Sequence, residues 1–322
     1  TDLWNYPTIS LPFKKGKKVY FYKNNGLQNQ SILYAKNRIE DADSSAKVII
    51  DPNNFSKDGG TSLSGIYFSN DNKYLGYAIS NSGSDWREFF IKDLSTGKNL
   101  SDHLEWIKFS GMSWAESGFY YNAFPKPTDG RELSDINQSS KVFFHKLGTS
   151  QSDDSLIFSD LTNPKISNYP STTNDGRFLI IYRTKGTYGN ALLVKDLNNA
   201  DSEFVSIVDD FTSEIDIIDN IGGKLIAITD RNAAKKKVVL IDFKNPNEKN
   251  WVTTIPENNN ILTSVNLVND KLVAHYMVNV LSSWIIHDIN GEIIKKVELP
   301  GPGISYGFHG NKGQSVSWYV FE

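Results

Sequence analysis

The sequence contains one pentapeptide of the form Gly-x-Ser-x-Gly, at residues 303–307, in which Ser305 is the candidate nucleophile. A serine in such a motif needs a sharp strand-to-helix turn, with a histidine and an acid brought close to it. The segment that follows, FHGNKGQ, does not predict a helix, and the pentapeptide falls where a strand is expected. We therefore expect no catalytic residue in this chain.

The residues that bind metals in other proteins do not form a recognisable pattern here. There is no cysteine, which excludes a thiolate zinc site and a disulfide. Two of the five histidines occupy equivalent places in predicted strands, which indicates a structural role. We predict neither a metal nor a cofactor from the histidines, which show no HExxH or paired spacing: His103, His145, His275, His287 and His309.

Short acidic segments resemble calcium loops only in part. Asp51, Asn53 and Asp58 precede Gly59, but the ligands that complete a calcium loop are missing. Asp71 and Asp175 stand in the sequences NDNK and NDGR, at the same place in two repeats. Asn-Asp and Asp-Gly favour tight turns. Turn formation therefore explains these two aspartates better than a catalytic or metal-binding role does.

Composition limits the classes of function. The chain of 322 residues is 39% hydrophobic, carries a net charge of −3 and has a pI near 6.0. The segment Phe13–Tyr34 interleaves lysines with aromatic residues, as a platform for single-stranded nucleic acid does. Acidic residues balance the lysines along the chain, however, so we expect no nucleic-acid partner.

No apolar run approaches the ~18 residues of a membrane span, and the first residues lack the pattern of a signal peptide. We therefore expect no membrane partner. The absence of cysteine fits a cytoplasmic protein and is also compatible with the bacterial periplasm.

Seven copies of a turn followed by a strand recur at intervals of about 49 residues, beginning near residues 13, 68, 114, 172, 220, 267 and 308. Six of the copies are followed by two further β-rich runs. A period of roughly 40 to 50 residues with four strands per unit is typical of β-propellers. The sequence thus predicts an all-β fold, a seven-bladed propeller of four-stranded blades in which the seventh blade is incomplete.

Four segments carry a resemblance to a known family. They are FKKGKKVYFYKNNGLQNQSILY at 13–34, SGSDW at 82–86, KFSGMSW at 108–114 and KVFFHKLGTSQSDD at 141–154. Together they resemble the propeller of prolyl oligopeptidases, and the match is collinear from about residue 6 to residue 322.

The resemblance implies a serine peptidase that joins a seven-bladed propeller to an α/β-hydrolase domain and cleaves short peptides after proline. In that family the propeller keeps large folded proteins away from the active site. The 322 residues contain neither the family's N-terminal helical segment nor its catalytic domain. We therefore expect residues 1–322 to form a single propeller domain without peptidase activity. Its expected partners are the hydrolase domain of the same protein and short proline-containing peptides.

The resemblance also implies which residues contact these partners. Phe109 matches a phenylalanine that lines an apolar substrate subsite, the alternative being a core side chain. Arg183 matches a cavity-lining arginine if the alignment has a gap of one residue, and Thr184 takes that place otherwise. A further apolar contact falls near Ser167, which is small and polar here. Asp85 is a candidate contact to the hydrolase domain, the alternative being an exposed turn residue.

A second hypothesis is a stand-alone propeller that serves as a protein-interaction scaffold. The sequence contains no Trp-Asp dipeptide, the mark of the commonest scaffold repeat. The unfinished seventh blade also argues against an independent scaffold. We therefore favour the propeller of a peptidase.

Overall fold

The structure is a computed structural model that describes residues 5–132 and 134–322. It divides into two compact units, Thr1–Pro170 and Ser171–Glu322. In the described residues the helices are four 3-10 turns: Asp43–Ser45, Pro52–Asn54, Gln151–Asp153 and Glu248–Asn250. None of them has the length and apolar character needed to cross a membrane. The predicted all-β class is confirmed.

The first unit contains three antiparallel sheets. The first sheet comprises β1 (Thr8–Ile9), β2 (Phe13–Lys15), β3 (Lys18–Asn24), β4 (Ile32–Lys36) and β5 (Lys47–Ile50). The second comprises β6 (Thr61–Phe68), β7 (Tyr74–Asn81), β8 (Trp86–Asp93) and β9 (Asn99–Lys108). The third comprises β10 (Ser113–Ala115), β11 (Gly118–Ala123), β12 (Lys141–Lys146) and β13 (Ser155–Ser159).

The remaining strands form three further four-stranded sheets and one pair. The fourth sheet comprises β14 (Ser167–Thr172), β15 (Phe178–Thr184), β16 (Asn190–Asp196) and β17 (Val205–Val208). The fifth comprises β18 (Ile215–Ile221), β19 (Lys224–Thr229), β20 (Lys237–Asp242) and β21 (Val252–Ile255). The sixth comprises β22 (Ile261–Val268), β23 (Lys271–Val278), β24 (Leu281–His287) and β25 (Ile293–Val297). The pair is β26 (Ser305–Gly307) and β27 (Tyr319–Phe321).

The described residues thus form six blade-like sheets of four or more strands, rather than seven. The seventh copy of the repeat forms only the two-stranded sheet of β26 and β27. Each of these strands has three residues, and only Glu322 follows β27 in the sequence. The two strands predicted for the seventh repeat are present, but together they are shorter than the first two strands of the other repeats.

Successive sheets of the first unit bury apolar side chains between them. Phe89, Leu104 and Ile107 of the second sheet pack against Trp114 and Phe119 of the third. Phe89, Leu104, Ile107 and Phe119 are 0% exposed. Full burial of an aliphatic or aromatic side chain contributes about 1.5–3 kcal/mol, so this contact holds the two sheets together.

The lysine- and aromatic-rich segment near the N-terminus is also part of this core. Tyr20 and Phe21 are each only 3% exposed, and the ring of Tyr20 contacts those of Phe13 and Phe68. In the loop that follows, the side-chain amide of Gln30 donates to the carbonyl of Thr61 at 2.7 Å. These rings stabilise the first two sheets and are not free to stack on bases.

The acidic turns behave as the sequence indicates. Asp71 and Asp175 each accept a hydrogen bond from a hydroxyl two residues earlier and from the backbone N–H two residues later. Asp51 accepts from the N–H of Asn53, and Asp58 accepts from the N–H of Gly60. Turn formation is confirmed for Asp71 and Asp175, the two aspartates for which the sequence predicted it.

A buried histidine links the second and third sheets. His145 on β12 is 0% exposed, and its Nδ1 lies 2.7 Å from Asp154 while its Nε2 lies 3.0 Å from Asp102 on β9. Tyr121 donates its hydroxyl to Asp154, and the N–H of Gly148 donates to Asp102. Both ring nitrogens face carboxylates and only the imidazolium donates from both, so we assign His145 as charged.

Burial alone lowers the pKa of His145, but hydrogen bonds to Asp154 and Asp102, together with their charges, outweigh it and raise the pKa above 6.5. A histidine whose pKa is raised by folding adds to the free energy of unfolding below its unfolded pKa, and the contribution disappears as the pH rises through the folded pKa. The stabilisation from His145 is therefore greatest in mildly acidic solution.

We expect His145→Gln to lower the free energy of unfolding most at about pH 6, by about 3–5 kcal/mol, and progressively less towards about pH 9. Urea unfolding of both proteins across this range measures the difference. His309→Gln, which removes an exposed histidine, is the control and should follow the wild type. A difference that is constant with pH would show that His145 is not charged in the folded chain.

Candidate functional site

The candidate site lies where β8 begins and β9 ends. Trp86, the first residue of β8, pairs with Lys108, the last residue of β9. The ladder between the two strands is irregular after Arg87, and Trp106 has a positive φ of 59°. Bulges of this kind twist a strand and redirect its side chains. Here the irregular register brings the predicted residues Asp85 and Phe109 to the same strand end.

Lys108 connects these two residues. Its side chain is 11% exposed, and its Nζ lies 3.5 Å from Asp85 Oδ2. The same ammonium lies 5.1 Å from the ring centroid of Trp86 and 5.3 Å from that of Phe109. We call Asp85, Trp86, Lys108 and Phe109 the Lys108 cluster.

The energy of the cluster comes mainly from the rings. Asp85 has a side chain that is 63% exposed, and an exposed ion pair contributes about 0–1 kcal/mol. A cation over an aromatic face contributes about 0.5–2 kcal/mol, and more when water is excluded. Because Lys108 is mostly buried and its ammonium lies over both rings, it helps to hold Trp86 and Phe109 in place.

Further contacts fix the Trp86 ring. Its indole Nε1 donates to the carbonyl of Glu132 at 2.7 Å. The ring of Trp106 meets it edge-on at a centroid distance of 5.7 Å, and Lys126 Nζ lies 5.3 Å from the Trp106 centroid. These contacts hold the Trp86 ring of the Lys108 cluster in a fixed position.

Phe109 is exposed while its neighbours are buried. The residue is 46% exposed, whereas Lys108 is 9% and Ser110 is 5% exposed. Its φ of 54° is left-handed, and the N–H of Asn122 donates to Ser110 Oγ immediately after it. The alternative of a core phenylalanine is therefore wrong, and the assignment to a substrate subsite stays a prediction.

The other predicted contact residues lie on strands of the fourth sheet. Arg183 is half-buried on β15, where it pairs with Ala191, and Thr184 follows it on the opposite face of the strand. Ser167 is the half-buried first residue of β14. Arg183 belongs to the second unit, whereas Asp85 and Phe109 belong to the first. Its assignment to the substrate cavity stays a prediction.

Ser305 does not stand on a strand-to-helix turn. It lies on β26 and is 0% exposed. Its Oγ accepts a hydrogen bond from Trp284 Nε1 at 2.7 Å, and its N–H donates to Ser282 Oγ at 2.9 Å. These contacts give the serine a structural role, as its place in a predicted strand suggested.

Sequence reasoning missed Lys108 and Trp86 as members of the site. Both residues stand in segments that identify the resemblance, KFSGMSW and SGSDW, next to Phe109 and Asp85. Trp86 and Lys108 are brought together by the pairing of β8 with β9. This pairing cannot be predicted from the sequence until the ends of both strands are known.

The family profile described as the prolyl oligopeptidase N-terminal beta-propeller domain matches residues 1–322. A prolyl endopeptidase of Elizabethkingia miricola is 40% identical over 323 residues, which cover 99% of this chain and 45% of that protein. Prolyl oligopeptidase A of Amanita bisporigera is 30% identical over 91% of this chain and 42% of its own length. The chain thus spans less than half the length of these relatives.

Solved structures agree with the sequence comparisons. A prolyl endopeptidase structure superposes with a TM-score of 0.88 at 29% identity, covering 99% of this chain and 45% of its own. Prolyl oligopeptidase B of Galerina marginata, bound to a 35mer hydrolysis and macrocyclization substrate, gives a TM-score of 0.89 at 26% identity and covers 98% of this chain and 47% of its own. The fold is therefore a β-propeller with four-stranded blades. The chain belongs to the family of prolyl oligopeptidase N-terminal propeller domains.

Proposed function

We propose that this chain is the propeller of a serine peptidase that cleaves short peptides after proline. It works beside an α/β-hydrolase catalytic domain of the same protein and limits which peptides reach that domain. The observation that carries the proposal is the match along 99% of this chain to 45% of a prolyl endopeptidase. The remaining half of that relative leaves room for a catalytic domain.

The seven-bladed arrangement is part of the same proposal. Five sheets have four strands in sequential order, the first sheet adds β1 to the order β2-β3-β4-β5, and we assign β26 and β27 to the inner pair of a seventh. Their antiparallel register, Ser305 with Phe321 and Gly307 with Tyr319, supports this assignment.

Within the propeller we assign Phe109 to contact with the peptide. A bulky residue with positive φ is strained by about 1–3 kcal/mol, and such strain persists where the surrounding structure enforces it, often at functional sites. The Phe109 ring is held by Lys108 and still leaves 46% of the residue exposed. An exposed ring held at a fixed place offers an apolar surface to a peptide side chain.

Arg183 and Asp85 complete the proposed contacts. The guanidinium of Arg183 suits a peptide carbonyl or carboxylate, for which arginine supplies paired donors. Asp85 keeps 63% of its side chain exposed while Lys108 anchors it. That exposure supports the proposed contact with the catalytic domain.

Phe109→Ala in the full-length parent enzyme should weaken binding of a short proline-containing peptide by about 1–3 kcal/mol, because an apolar contact is lost. Steady-state kinetics with a fluorogenic peptide measure KM and kcat/KM. Leu161→Ala removes another exposed apolar side chain of the first unit and should leave both unchanged. Wild-type kinetics for Phe109→Ala would exclude the contact.

Phe109→Gly should change the free energy of unfolding of the chain by less than about 1 kcal/mol, because relief of the left-handed backbone offsets the lost ring contacts. Phe119→Ala, at a fully buried ring of the same unit, should lower it by about 3–5 kcal/mol. Urea unfolding compares the two variants. Equal losses would show that the Phe109 ring is a structural element after all.

The 322-residue chain by itself should not hydrolyse a fluorogenic proline-containing peptide, because the Ser305 hydroxyl is buried and bonded to Trp284. Incubation at high protein concentration, with the full-length enzyme as positive control, tests this. Turnover that disappears in Ser305→Ala would contradict the expectation.

A further inference from the structure

Three side chains that can bind a metal meet on the outer part of the second sheet. His103 and Glu105 stand two residues apart on β9, so they share one face of the strand. Phe90 on β8 pairs directly with His103, and Glu88, two residues before Phe90, shares that face. One ligand atom from each of Glu88, His103 and Glu105 lies within 4.8 Å of the other two.

We propose that Glu88, His103 and Glu105 bind one divalent transition-metal ion, for which Zn²⁺ has the matching chemistry. Zn²⁺ accepts imidazole nitrogen and carboxylate oxygen in one site, and sites with three protein ligands leave a position open to water. Ca²⁺ and Mg²⁺ take oxygen ligands almost exclusively, so the imidazole of His103 selects against them. We call these three residues the β8–β9 metal site.

His103 and Glu88 are already oriented for this role. The imidazole stacks on the Phe90 ring with centroids 4.6 Å apart and an interplanar angle of 14°. Its Nε2 lies 2.7 Å from Glu88 Oε2. Asn81 Nδ2 donates to the other oxygen of Glu88 at 2.8 Å, as residues behind metal ligands commonly do.

The backbone of Glu105 is fixed as well. The side-chain amide of Gln151 accepts from the Glu105 N–H and donates to the Glu105 carbonyl, both at 3.0 Å. This pair of bonds holds β9 at the residue whose carboxylate completes the site. Each of the three ligands therefore has a contact that limits its movement before an ion arrives.

The local charge also favours a cation. Across residues 5–132 and 134–322, neither Glu88 nor Glu105 forms a salt bridge with a lysine or arginine, and Glu88 contacts only His103 among basic side chains. Two carboxylates lie beside a single imidazole, so acidic groups outnumber basic ones in this cluster. A dication balances both, and it links β8 to the outermost strand of the sheet.

Titration of the 322-residue chain with ZnCl₂ by isothermal calorimetry tests the proposal, with Co²⁺ absorption as a second readout of the ligand field. We expect one Zn²⁺ per chain, a visible Co²⁺ spectrum, a higher unfolding temperature with Zn²⁺ and no binding of Ca²⁺ or Mg²⁺. His103→Gln and Glu105→Gln should each weaken Zn²⁺ binding by at least about tenfold. Both side chains are exposed, so the metal-free variants should unfold like the wild type.

His309→Gln is the matched control, because it removes an exposed histidine from the second unit and should leave Zn²⁺ affinity unchanged. Any of three results would overturn the proposal. The first is no Zn²⁺ binding by the wild type at about millimolar Zn²⁺, and the second is wild-type affinity in His103→Gln and Glu105→Gln. The third is a loss of Zn²⁺ affinity in His309→Gln equal to that in the other two variants. The last result would place the ion at other histidines.

Discussion

The apolar contact between the second and third sheets is the interaction on which the rest of the first unit depends. All six residues of β11 are buried, which a sheet with one face in water does not allow. The Phe89 and Phe119 rings, from the second and third sheets, meet at a centroid distance of 6.4 Å. This sheet-to-sheet contact places the ends of β8 and β9, and therefore every residue of the Lys108 cluster.

A charged group crosses the same apolar contact. His145 and Asp102 join β12 to β9 from opposite sheets, and Asp154 and Tyr121 complete the network. A buried ion pair adds little net stability compared with apolar side chains of similar size. Removing one partner is strongly destabilising, however, because the other charge is left buried and unpaired. A slip of β9 by one residue moves Asp102 away from His145 and leaves the Nε2 side of the buried ring without its carboxylate. The network therefore holds β9 in register, and with it both the Lys108 cluster and the β8–β9 metal site.

The sequence predicted the repeat well because the repeat is local. Turn residues such as Asp71 and Asp175 and the β-rich runs between them carry the pattern within a few residues, and the structure repeats the same contacts at both turns. Irregular features were not predictable in this way. β9 continues to Lys108, well past the β-rich run that is visible in the sequence. The bulges interrupt the alternation of side chains, so the sequence pattern does not show the full length of the strand.

The candidate sites depend on those irregular features. Glu88 and His103 are distant in sequence, and only the register of β8 against β9 shows that they touch.

Phe109, the proposed contact to a peptide, lies immediately after a strand end. Between its bulges, β9 places successive side chains on alternate faces of the sheet. The ladder stops at Lys108, and the left-handed turn at Phe109 releases its ring from that alternation. The ring is then held by a cation on a fixed strand instead of by the core. The chain can thus expose a large apolar side chain without opening its own sheets.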